Sequence, residues 1–181
     1  PDTQGALQAD QSERRRYMNA FALLQWRPSE NLLFDAGLNT NLLSYRLKTN
    51  YNINSADQTG TYHYQPVLSP RLGLSYRHTK FMWSYLSAGH GFSAPSLEET
   101  LLPEGNINTD LRPETGWNFD IGNRGQLLEK RMTYDLSIYT ILLNDLLVTE
   151  RLTEDVFTGV NAGKARNSGI ELLLKGSLFP T

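Results

Sequence analysis

The constraint that most narrows the fold is an alternation of period two held over long stretches. From Leu68 to Arg77, the residues Leu68, Pro70, Leu72, Leu74 and Tyr76 fall on one side, and Ser69, Arg71, Gly73, Ser75 and Arg77 on the other. Strict alternation of this kind specifies a strand with one apolar and one wet face. It recurs from Leu32 to Leu42, from Trp117 to Arg124, from Met132 to Leu142 and from Ile170 to Leu178, with less regular runs from Tyr17 to Trp26 and from Phe81 to Gly91. Seven strands are therefore expected.

The connections alternate too. Short ones stand at residues 27–30, 78–80 and 125–130; long ones stand at 49–66, 92–116 and 150–160. Short turns at one rim and long loops at the other are the layout of an outer-membrane barrel. Runs of ten or more residues reach about 33 Å at roughly 3.3 Å per residue, enough for a tilted membrane strand, which takes about 9–11. Soluble strands average about 5–6 residues. Trp26, Tyr76, Phe81 and Trp83 lie beside the short turns, where an interfacial girdle belongs.

Composition does not oppose this. Mean hydropathy is −0.44, and no apolar run approaches the roughly 18 residues of a membrane helix; a barrel needs only alternate residues to face lipid. A net charge of −2 gives no nucleic-acid surface, and the one basic run, Arg14-Arg15-Arg16, reads as a charged strand end. The absence of cysteine removes disulfide frameworks and cysteine metal sites. No nucleophile elbow, phosphate-binding glycine loop or His-Glu-x-x-His helix is present, so the chain is not read as an enzyme. His63, His78 and His90 lack metal-ligand spacing, and neither metal nor cofactor is expected. The pattern alone leaves a soluble β-sheet binding module open, since alternating faces also suit core and solvent.

Three stretches resemble the TonB-dependent receptor family, in its siderophore and iron branch. Gly89-His90-Gly91-Phe92-Ser93-Ala94-Pro95-Ser96-Leu97-Glu98-Glu99 is similar to a Gly-Phe-x-Ala-Pro-x-Leu-x-Glu stretch at the top of a barrel strand. Asn108-Thr109-Asp110-Leu111-Arg112-Pro113-Glu114 leads into a strand ending Asp120-Ile121-Gly122, like the family's Asn-x-x-Leu-x-Pro-Glu loop end. Asn161-Ala162-Gly163, followed by Gly169-Ile170-Glu171-Leu172, looks like its Asn-x-Gly and Gly-x-Glu-Leu pair. The resemblance covers Tyr17 to Phe179.

The resemblance implies an outer-membrane transporter for a scarce nutrient, a ferric siderophore first, with haem and cobalamin as other candidates. Transport would be driven by the TonB energy-transducing complex through a plug domain. Neither the plug nor the terminal aromatic strand stands in these 181 residues, so residues 1–181 are expected to be one incomplete segment of a transmembrane β-barrel: an all-β antiparallel meander, cut at both ends. A passive porin-like barrel is the alternative within the membrane class.

Residue roles follow from parity and loop position. Asp35, Arg71, Asp120, Asp135, Lys175 and Glu171 are expected to face the lumen, solvating it or touching the plug. An Arg or Lys turned to lipid at midplane would cost about 2–4 kcal/mol. Ala94-Pro95 and Arg112-Pro113 suit loop borders, and Gly163 and Gly169 allow close approach near a rim. Among loop residues, Tyr62, His63 and Tyr64 form a trio that stacks on a ligand or simply packs the loop. Glu98, Glu99 and Glu104 are either a cation-attracting cluster or solvated acids.

Overall fold

The computed structural model describes residues 5–7, 9–53, 57, 59–95, 108, 110–151 and 157–176. Ten strands run antiparallel: β1 (Ala9–Ser29), β2 (Leu32–Asn52), β3 (Gly60–His63), β4 (Val67–Thr79), β5 (Met82–Ser93), β6 (Glu114–Leu127), β7 (Met132–Asn144), β8 (Leu147–Arg151), β9 (Phe157–Asn161) and β10 (Lys164–Gly176). The main sheet follows the order β1-β2-β4-β5-β6-β7-β10 and does not close on itself; β3 pairs with β2, and β8 with β9 form a separate ribbon.

The seven expected strands are the seven of the main sheet. The other three lie in the long connections, where four or five residues are too few for alternation to stand out. Turns are tighter than expected because pairing runs further. Residues 30–31 and 80–81 close two hairpins, and residues 128–131 close a third, with left-handed φ at Leu128, Glu129 and Lys130.

Directly paired residues on neighbouring strands point to the same face, so the register extends one strand's alternation across the sheet. One row runs Trp26–Phe34–Leu74–Leu86–Ile121–Ile138–Ile170 through all seven strands. The same face carries Met18, Leu24, Leu38, Leu42, Leu72, Phe119, Leu136 and Leu172. Many of these are exposed, Ile170 at 72% and Leu72 at 61%. A face this apolar and uncovered fits hydrocarbon. Trp26 stacks on Phe34 at 5.5 Å beside the first short turn, and Trp117 stacks on Phe119 at 5.8 Å toward the long loops. Trp83 departs from the expected girdle. It pairs with Arg77 and Arg124, on the opposite, polar face.

On that polar face two glycines are required by contact. Gly122 pairs with Tyr85 and Gly169 with Tyr139. A Cβ on Gly122 would stand 2.3 Å from the Tyr85 ring, and one on Gly169 would stand 2.8 Å from the Tyr139 hydroxyl. Each ring lies across the neighbouring strand where the glycine leaves room. The guanidinium of Arg124 lies over the Tyr85 ring, 4.6 Å from its centroid.

Replacing Gly122 by Ala forces Tyr85 off its strand and should cost about 1–3 kcal/mol, as overpacking does. The check is the urea midpoint of the folded barrel in detergent. Removing the ring as well, in Gly122→Ala/Tyr85→Ala, should cost less than the sum of the two single changes.

Candidate functional site

β1 and β2 are each 21 residues long, roughly 69 Å at 3.3 Å per residue, about twice what a bilayer crossing takes. The apolar column on β2 ends at Leu42. From there the hairpin projects beyond the band, and its two faces change character. Inward, Leu43, Tyr45 and Leu47 are buried at 5%, 4% and 2% exposure. Outward, Arg46 and Lys48 are exposed.

The inward side is an aromatic cluster. Tyr45 stacks on Tyr62 at 5.0 Å and meets Tyr64 at 5.7 Å. Glu13 pairs with Arg15 beside it, and Arg15 Nη1 donates to the carbonyl of Pro95 at 3.2 Å. Pro95 itself is fully buried, so the Ala94-Pro95 border of the first motif seats against the tall hairpin. Burial pushes the Tyr45 phenol up to about 12, with Tyr64, Tyr62 and Glu13 adding to the effect and Arg15 opposing it.

β3 divides the Tyr62-His63-Tyr64 trio. Tyr62 pairs with Tyr45 and His63 with Ser44, so the imidazole points outward while the phenols pack inward. Three converging ligand groups are not formed there. Leu97, Glu98, Glu99 and Glu104 lie outside the described residues. Among the described residues no three His, Asp or Glu side chains gather as metal ligands.

The other two motifs meet each other. Asn161 Oδ1 accepts from the Arg112 amide at 2.8 Å, and Asn161 Nδ2 donates to the carbonyls of Arg112 and Asp145, both at 2.8 Å. The Arg112 guanidinium pairs with Asp145 at 2.9 Å. Glu114 Oε1 accepts from the Leu147 amide at 2.7 Å, and Asn108 Nδ2 donates to the Gly159 carbonyl at 3.2 Å. The Leu146 amide donates to the Gly163 carbonyl at 3.2 Å. Leu111, beside Arg112, is buried at 5% exposure, and Pro113 sits at the border of β6. Asn108, Glu114 and Asn161 thus clamp the base of the β5–β6 loop to the β7–β10 loop. Sequence separations of 33 to 51 residues hid this pairing, although each half was visible as a motif.

The register puts Asp35, Arg71, Asp120, Asp135, Glu171 and Lys175 on the polar face. Three of the acids have donors. Gln25 Nε2 donates to Asp35 at 2.7 Å, Ser87 Oγ to Asp120 at 3.2 Å, and Tyr85 OH to Asp135 at 3.0 Å. They make a polar, hydrogen-bonded wall.

Asn161→Ala removes three hydrogen bonds at once and leaves the Arg112 amide unpaired. It should cost about 1–3 kcal/mol and speed proteolysis in residues 94–113 and 145–163, read by limited digestion and mass mapping. The raised Tyr45 pKa sets a pH window. A phenol held neutral in the folded chain stabilises it fully below its ordinary value of 10.0, and this contribution is lost as pH climbs from 10 toward 12. An absorbance titration should show a late-ionising tyrosine component that Tyr45→Phe diminishes.

The family described as TonB dependent receptor-like, beta-barrel matches residues 1–179. Among solved structures, the alcaligin outer-membrane receptor FauA from Bordetella pertussis superposes with a TM-score of 0.66 at 16% identity, over 94% of this chain and 28% of that one. The copper transporter OprC gives 0.71 at 20% identity, over 92% and 26%. The pyoverdine outer-membrane receptor FpvA from Pseudomonas aeruginosa PAO1, bound to pyoverdine, gives 0.63 at 18% identity, over 93% and 23%. The chain spans about a quarter of the length of these proteins. Seven antiparallel strands with one lipid-like face, short turns at one rim and clamped loops at the other, together with that match, make the chain a member of the TonB-dependent receptor-like β-barrel family.

Proposed function

We propose that this chain forms wall and external loops of an outer-membrane receptor that imports a scarce nutrient by TonB-driven transport. The observation that supports this reading best is the uninterrupted apolar row from Trp26 to Ile170, on a chain whose family match covers nearly its whole length. The apolar face meets lipid, and the polar face lines the lumen. The tall β1–β2 hairpin and the clamped loops rise on the external side. TonB acts through a plug domain that is not among these residues.

The cargo we favour is a ferric siderophore. FauA and FpvA are receptors named for such ligands, whereas OprC is named for copper. The Tyr45–Tyr62–Tyr64 cluster shapes the loop that would meet cargo; among the described residues the wall gathers no metal-binding group set. The chain carries no catalytic step in this reading.

The test uses the receptor that contains this chain, produced in outer membranes of an iron-starved host lacking its own receptors. Growth rescue by a ferric siderophore that disappears on deletion of TonB supports active uptake. Rescue that persists without TonB points to a passive, porin-like barrel. Copper- or haem-dependent rescue would replace the iron assignment and leave the receptor reading standing.

A further inference from the structure

The outward face of the tall hairpin carries four cations immediately above the apolar band. On β1, Met18 is followed on the same face by Arg16 and Arg14; on β2, Leu42 is followed by Ser44, Arg46 and Lys48. Arg16 pairs with Ser44, Arg14 with Arg46, and Ser12 with Lys48. All four cations are exposed, and together with Ser12, Glu13, Ser44 and Thr61 they line a cleft of about 420 Å³. Among the described residues no carboxylate pairs with any of them. Glu13 stands on the opposite face, bound to Arg15. Arg14 directly opposite Arg46 is a like-charge cross-strand pair, which destabilises a sheet unless an anion sits between the two.

We propose that this patch is a docking surface for the phosphorylated headgroups of outer-leaflet lipid. The inference rests on the assignment above of the apolar face to lipid and of the long loops to the exterior. Position decides against cargo, because these side chains share the lipid-facing parity and cannot reach the lumen. Successive residues on one face are about 6.6 Å apart along a strand, so Arg16 begins one pleat beyond Met18, where hydrocarbon gives way to headgroups. Chemistry fits as well. Guanidinium forks bind phosphate oxygens bidentately, and basic clusters at a membrane boundary select anionic lipid.

The test refolds the receptor containing this chain as a complete barrel in phosphatidylcholine vesicles, with or without bisphosphorylated lipid A or its dephosphorylated form. Lipid retained after detergent extraction is counted by native mass spectrometry. Wild type should retain the bisphosphorylated lipid and not the dephosphorylated one. Arg14→Gln/Arg16→Gln/Arg46→Gln/Lys48→Gln should lose at least about tenfold in retention, since each surface cation is worth roughly fivefold in affinity. The matching Arg→Lys changes, and Arg71→Gln/Arg124→Gln on the polar face, should keep it. Equal retention by the four-site Gln variant, or indifference to the phosphates in wild type, overturns the proposal. Release by millimolar free pyrophosphate with lipid retention unaffected by acyl chains would likewise reassign the patch to soluble anions. A wild-type chain that gives no heat-modifiable form in plain phosphatidylcholine overturns the barrel reading, and this inference with it.

Discussion

Hydrocarbon offers no hydrogen-bond partner to a peptide group, so a chain that crosses it as strands must satisfy every N–H and C=O on the neighbouring strand. That requirement aligns the seven long strands, and alignment makes side-chain parity a property of the whole sheet. Once Phe34 faces lipid, pairing commits Leu74, Leu86, Ile121, Ile138 and Ile170 to the same side, and Asp35, Asp120 and Glu171 to the other. A slip of one residue would invert both sets. The aromatic girdles, the polar wall and the outward basic patch are consequences of this single commitment.

The described motif residues make structural contacts within the sheet and between its loop bases. Asn161, Arg112, Asp145 and Glu114 join two loop bases. Pro95 seats the first loop against Arg15. Gly122 and Gly169 admit tyrosine rings across the sheet. Left-handed backbone at Asp145, φ 55°, is a conformation aspartate tolerates better than most residues, and it turns the chain back so that its carbonyl reaches Asn161.

Period-two alternation was enough to place the seven wall strands and their facing, because pairing only propagates what each strand already declares. It failed where strands are short or partners distant. β3, β8 and β9 have too few residues to display a period. His63 separates from Tyr62 and Tyr64 because extended backbone sends neighbours to opposite faces, which reading the trio as a contiguous motif overlooked. Trp83 was assigned by its nearness to a turn, whereas its pairing with Arg77 and Arg124 fixes it inward. β1 and β2 run past the expected Tyr17 and Leu42 limits because hydrogen bonding continues after the apolar column stops, and there Arg14-Arg15-Arg16 divides between an exposed outer face and a half-buried inner one.

The Asn161 clamp separates the part of the molecule that must keep its shape from the part that meets a changing environment. The loop bases are tied to each other by backbone carbonyls and amides, and the register of the seven wall strands is set by the pairing below those ties. Changes of loop length beyond the ties are therefore expected to leave the register of the wall strands unchanged.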